Sequence, residues 1–189
     1  MHRAYFTPES LILVAAPSER QSAELVRKCV LFASKLGVRP RGDGDNAVSI
    51  AFPNRSRIVG LPNCEHTIRG FSAPAMIVVD EAARVPDELY YALLPMLATC
   101  AGHILLMSTP HGKRGFFYDE YANPESPFTK LTVPATDCPR IPKSFLEEQS
   151  ARMPRHVFEQ EYLCHFHAPS NALFSPDDLA ALVEPESCR

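Results

Sequence analysis

Two pairs of polar residues stand where apolar segments of the sequence end. Asp80 and Glu81 follow an apolar run of four residues, and Ser108 and Thr109 follow a later apolar run. A carboxylate at the tip of a strand can hold Mg²⁺ together with phosphate oxygens, and a second carboxylate can orient and deprotonate an attacking water. A hydroxyl at the same edge can sense a terminal phosphate. These residue types therefore predict phosphate chemistry.

The Asp-Glu pair after an apolar run is the Walker B pattern of nucleotide hydrolases. Buried strands also end in Asp-Glu by chance, so a purely structural strand end is the alternative. The hydroxyl pair that begins 28 residues after Asp80 favours the functional interpretation. Sites in parallel sheets lie at the carboxyl ends of strands. We therefore expect the two pairs to meet at one edge if their strands are neighbours.

Apolar runs without polar alternation predict three strands that are buried on both faces, as in a parallel sheet covered by helices. These strands are residues 11–16, 75–79 and 103–107. Ser18 and Gln21 form a capping box that opens a helix after the first strand, and Pro86 opens a helix after the second. The alternation predicts an α/β fold with a largely parallel sheet.

The other predicted elements are shorter. The helix after Ser18 should bury Leu25, Cys29, Phe32 and Leu36, which recur at helical spacing, and should end at Gly37. Short strands are predicted at 48–52, 56–61 and 128–133, and further helices at 115–121, 142–153 and 154–164.

The composition is that of a globular chain. Apolar residues make up 46% of the 189 residues, and 19 Lys and Arg against 22 Asp and Glu give a net charge of −3. This balance excludes a polybasic nucleic-acid binder, although a local basic patch remains compatible with it. The apolar runs are too short to span a membrane, and the first residues lack a signal-peptide pattern, so secretion is not expected. We expect one domain with at most a small appendage, and reduced cysteines.

Two groups of potential metal ligands have a simpler interpretation. Cys164, His165 and His167 could bind a metal, but no second ligand pair accompanies them, so mixed packing at a helix end is favoured. Asp43 and Asp45 could begin a calcium loop, but the other loop ligands are missing and a turn is favoured.

Taken together, the motifs resemble the ATPase domain of the phage terminase large subunit, the motor that packages double-stranded DNA into procapsids. Each motif is modest, but their order along nearly the whole chain is specific. The segments that carry the resemblance are 16–22, 68–71, 76–83, 89–97, 107–117, 138–141 and 158–166. The resemblance implies a P-loop NTPase-like fold of the ASCE or RecA type, with a mostly parallel sheet flanked by helices.

The resemblance also implies roles for single residues. Asp80 matches the Walker B acid that holds magnesium, and Glu81 matches the catalytic glutamate. Ser108 and Thr109 match the coupling motif, which contacts nucleotide and links hydrolysis to movement. Arg69, in an Arg-Gly-Phe sequence, is a candidate finger that reaches the ATP of a neighbouring subunit; a surface or structural arginine is the alternative.

The same resemblance implies cofactors, partners and organisation. ATP and Mg²⁺ would be the cofactors. Double-stranded DNA, a small terminase subunit, a portal protein and copies of the chain in a ring would be the partners, in the host cytoplasm. Residues 1–168 would form a partial ATPase domain, and 169–189 a linker into a nuclease domain. The source would be a tailed phage or a prophage.

One expected motif is missing from the 189 residues. Lys143-Ser144 is the one Lys-Ser or Lys-Thr pair, and no glycine-rich loop precedes it. The chain thus resembles an N-terminally truncated ATPase domain, for which we expect weak or absent ATP binding and an open sheet edge. The alternatives are a catalytically inactive remnant or assembly module and, less favoured, a lobe of a superfamily 2 helicase.

Overall fold

The structure, a computed structural model, describes residues 1–42, 48–63, 68 and 70–168. The described residues contain a five-stranded sheet in the order β2-β3-β1-β4-β5. The strands are β1 (Leu11–Ala15), β2 (Ser49–Ala51), β3 (Arg57–Gly60), β4 (Met76–Asp80) and β5 (His103–Met107). The helices are α1 (His2–Phe6), α2 (Glu19–Lys35), α3 (Asp87–Leu93), α4 (Gly115–Ala122), α5 (Lys143–Arg152) and α6 (Arg155–Leu163).

The sheet is mostly parallel, which confirms the predicted α/β class. β1 pairs in parallel with both β3 and β4, and β4 pairs in parallel with β5. β2 is the exception, because it runs antiparallel to β3 at one edge. The two central strands therefore bring the chain's most apolar segments to the middle of the sheet.

The core lies around β1, where Leu13 and Ala15 are fully buried and α2 packs on the sheet. The helix begins as predicted: the Ser18 hydroxyl accepts the Gln21 N–H at 3.4 Å. Its predicted apolar side is wrong at two positions, because Phe32 and Leu36 are 58% and 52% exposed. Small residues allow the helix to lie close to the sheet, so the buried positions are instead Ser22, Val26 and Ala33.

Two predicted strands differ from the structure. β5 was expected to be buried on both faces, but it is an edge strand in which Leu105 is 41% exposed. An apolar run shows that a strand is hydrophobic and does not show whether both faces are covered. Residues 128–133 form no strand; Leu131 and Val133 are largely exposed there. A β-propensity without a partner strand does not make a ladder.

The helices agree better with expectation. α4, α5 and α6 begin and end within two residues of their predicted bounds. α3 is shorter than expected and continues as a 3-10 turn, Leu94–Leu97, because Pro95 has no N–H for an α-helical hydrogen bond. The helix α1 was not predicted. No helix in the described part of the chain is both long and apolar enough to cross a membrane.

The chain divides into two compact units, Met1–Ser108 and Thr109–Arg189. The first unit holds the whole sheet. In the described part of the second, Phe166 packs against aromatic rings of α4, with ring centroids 4.9 Å apart for Tyr121. Cys29, Cys100, Cys138 and Cys164 are free thiols.

Candidate functional site

The carboxyl ends of β4 and β5 lie side by side. Asp80 is the last residue of β4 and stands opposite Met107, the last residue of β5. Ser108 follows Met107 directly, so it leaves the sheet at the same edge as Glu81. The neighbourhood expected from the sequence for these two strand ends is therefore confirmed.

The loop after β4 is tightly wound. Glu81 has left-handed backbone angles, φ 51° and ψ 41°, which a residue with a side chain rarely adopts. Its N–H donates to Oδ1 of Asp80 at 3.2 Å, and its carbonyl accepts the Arg84 N–H at 2.8 Å. Such a conformation costs of order 1–3 kcal/mol and persists only where the surroundings hold it.

A hydrogen bond between the two strand ends holds this loop. The Ser108 hydroxyl accepts the N–H of Ala83 at 3.2 Å. Because Ala82 is fully buried beside it, the loop is fixed both by packing and by this bond. Thr109, the next residue, is half-buried and is the first residue of the second unit.

Arg84 is a site residue that the sequence analysis missed. Its Nε lies 3.6 Å from the Oε2 carboxylate oxygen of Glu81, and both side chains are about two-fifths exposed. Solvent screens a pair at this exposure, so it contributes little to stability. The signal in the sequence was the three-residue spacing from Glu81, which becomes informative only once the 3-10 turn Ala82–Arg84 is known.

The donor chemistry at this edge fits Mg²⁺. Asp80 is half-buried, and its carboxylate accepts one backbone N–H, which leaves oxygen lone pairs for a hard cation. Among the described residues no group of three or more His, Cys, Asp or Glu could hold a metal. The site thus fits a cation shared between one carboxylate and a bound phosphate, rather than a cage of protein ligands.

Other residues singled out in the sequence lie elsewhere. Arg69, Asp43 and Asp45 fall outside the described residues. Phe71, next to the Arg-Gly pair, lines a cavity of about 580 Å³ together with residues of α3 and the following turn. The residues lining this cavity do not include Asp80, Glu81 or Ser108.

The predicted packing at the helix end near Cys164 agrees with the structure. The Cys164 thiol donates to the Val133 carbonyl at 3.5 Å, and burial raises the pKa of this thiol. Nε2 of His167 lies 3.3 Å from the Glu159 carboxylate. Arg155 hydrogen-bonds the same carboxylate at 2.7 Å and lowers the pKa of Glu159.

Comparison with known proteins places these features in one group. No family model matches the chain. A protein of Enterobacteria phage P7, described as a probable terminase large subunit, is 26% identical over 98 residues, which are 48% of this chain and 20% of that protein. The chain therefore aligns with about a fifth of that relative's length.

Solved structures show the same fold at low sequence identity. The large terminase ATPase domain of Thermus phage P74-26 superposes with a TM-score of 0.64 at 18% identity, covering 87% of this chain and 80% of that one. The large terminase of a thermophilic bacteriophage, in complex with ADP, gives a TM-score of 0.72 at 16% identity and covers 86% of this chain and 42% of that one. The resemblance found in the sequence is thus confirmed: the chain has the fold of phage large-terminase ATPase domains.

Proposed function

We propose that this chain is part of the ATP-hydrolysing motor that packages double-stranded DNA in a tailed phage or prophage. The observation that carries the proposal is the meeting of the Asp80-Glu81 loop with Ser108 at one sheet edge, through the Ala83 hydrogen bond of 3.2 Å. An acid pair and a hydroxyl on neighbouring strand ends are suited to bind a phosphate and to respond to its loss.

Each residue has a proposed role. Asp80 holds Mg²⁺, which would neutralise charge on the phosphates. Glu81 orients the attacking water and takes its proton. Ser108 and Thr109 contact the nucleotide and pass the loss of the terminal phosphate to the chain that follows them. Arg69 would stabilise the charge of the transferred phosphoryl group on a neighbouring subunit.

The nature of the nucleotide is supported by the solved relatives. The large terminase of the thermophilic bacteriophage has been solved with ADP and with ATP-gamma-S. By extension we propose ATP as the nucleotide of this site. The partners would be double-stranded DNA, a small terminase subunit, a portal protein and further copies in a ring, in the host cytoplasm. Residues 1–168 would supply part of the ATPase domain, and 169–189 would lead into a nuclease domain.

A second candidate is a catalytically inactive assembly module. The observation that favours it is the lack, within these 189 residues, of a glycine-rich loop ending in Lys-Ser or Lys-Thr. Such a loop supplies most of the backbone donors to nucleotide phosphates. For the chain alone we therefore expect ATP binding much weaker than micromolar and negligible turnover.

Isothermal titration with Mg-ATP, combined with phosphate release at millimolar Mg-ATP and double-stranded DNA, separates these candidates. Turnover above that of Glu81→Gln would exclude the inactive module. Glu9→Gln is the matched control, because Glu9 precedes β1 and so lies towards the amino edge of the parallel sheet. Micromolar binding would show that the missing loop is replaced or unnecessary.

A further inference from the structure

The strand β5 forms an unprotected edge of the sheet. Among the described residues it pairs with β4 and with no other strand. Natural sheets protect their edges with prolines, lysines, bulges or very short strands. The opposite edge follows this rule, since β2 has three residues and Arg41 bridges to it. β5 has five residues without proline or a charged side chain, and its register with β4 is unbroken.

The backbone of β5 offers hydrogen-bonding groups at this edge. His103 donates its N–H to the Ala75 carbonyl at 3.2 Å, so its backbone points towards β4. Backbone groups alternate in direction along a strand, and in a parallel strand both groups of one residue point to the same side. Ile104 and Leu106 therefore direct their N–H and C=O groups towards the free edge.

The side chains at this edge are apolar and uncharged. Leu105 is 41% exposed and Met107 is 37% exposed, on one face of the sheet. Two copies of such a strand can approach without placing like charges opposite each other. The pairing of a five-residue strand buries less than the roughly 1,000 Å² expected of a stable interface, so association should be weak.

We propose that the free edge of β5 pairs with β5 of a second copy of this chain, antiparallel about a two-fold axis at Leu105. Ile104 then lies opposite Leu106 of the partner subunit, and the two residues exchange both backbone hydrogen bonds. The contact is isologous and closes at two copies, so it is separate from any head-to-tail ring contact.

Sedimentation velocity over a hundredfold range of protein concentration tests this pairing. The wild-type chain should shift from monomer to dimer as the concentration rises. Leu106→Pro removes a donor at the free edge, and Leu105→Lys places a charge beside it; both should remain monomeric. Leu131→Lys is the matched control, because Leu131 is 85% exposed and lies outside the sheet, and it should dimerise like wild type.

Circular dichroism verifies that each variant is folded, and Leu105→Lys keeps the test decisive if the proline variant is not. A wild-type chain that stays monomeric throughout, or forms particles larger than dimers, overturns the proposal. So does dimerisation of Leu105→Lys as tight as that of wild type. The readout does not depend on nucleotide, so it is independent of the proposed ATPase function.

Discussion

The Ser108 hydroxyl accepts the backbone N–H of Ala83 at 3.2 Å, and this bond joins the ends of β4 and β5. It ties the loop that carries Glu81 to the strand end that leads into the second unit. A displacement of either strand end would therefore be transmitted to the other through the bond.

Removal of this hydroxyl should destabilise the first unit. Ser108→Ala leaves the half-buried Ala83 N–H without its acceptor, and we expect a loss of about 1 kcal/mol in the free energy of unfolding. Urea denaturation measures it. Ser34→Ala is the control, because its hydroxyl makes only an exposed bond to the Val30 carbonyl within α2. Equal effects of the two variants would contradict a holding role for Ser108.

Glu81 should be a site where stability is sacrificed for function. Glycine adopts its left-handed backbone, φ 51°, without steric cost, so Glu81→Gly should raise the free energy of unfolding by about 0.5–1 kcal/mol. Glu24→Gly, in the middle of α2, should lower it by about 1 kcal/mol. Both values come from urea denaturation. A loss of stability on Glu81→Gly would mean that the side chain of Glu81 supports the fold.

A buried serine pair holds the entrance to β1. Ser56 is fully buried; its hydroxyl accepts the Ser10 N–H at 3.1 Å and donates to the Thr7 carbonyl at 2.8 Å. Ser56→Ala should cost about 1–3 kcal/mol, since it leaves a buried N–H unsatisfied. Ser10→Ala removes only a hydroxyl and should cost less. The reverse order in thermal or urea unfolding would show that Ser10 is the more important member of the pair.

The carboxyl of Glu159 should titrate at lower pH than usual. The hydrogen bond from Arg155 stabilises its charged form and lowers the pKa from the ordinary 4.5. The ionised pair therefore stabilises the fold above that ordinary value, and this contribution is lost as the pH falls through the lowered pKa.

Carbon-13 NMR titration of the Glu159 carboxyl measures this shift. Arg155→Gln should move the pKa back up, whereas Arg152→Gln, which removes the partner of Glu148, should leave it unchanged. An unchanged pKa in the Arg155 variant would show that another group holds the carboxylate ionised.

The sequence was sufficient for the elements whose signals are local. β1 and β4 are continuous apolar runs, and Ser18 and Gln21 show where α2 begins. The adjacency of β4 and β5 followed from the alternation of strands and helices, which leaves few topologies.

Features that depend on three-dimensional neighbours could not be predicted. The exposure of Leu105 depends on what lies beyond β5, and the buried side of α2 depends on how closely it approaches the sheet. The contact of Arg84 with Glu81 depends on the left-handed turn, which no residue type at position 81 announces. Apolar periodicity contains none of this information.

The central claim is that a nucleotide phosphate and Mg²⁺ bind where β4 and β5 end. The most direct measurement is an amide NMR titration of the full chain with Mg-ATP up to several millimolar, because it detects and localises even weak binding. We expect shifts confined to residues around 80–84 and 107–109, lost in Asp80→Asn and retained in Glu9→Gln. Shifts elsewhere, or shifts at this edge that survive Asp80→Asn, would contradict the claim.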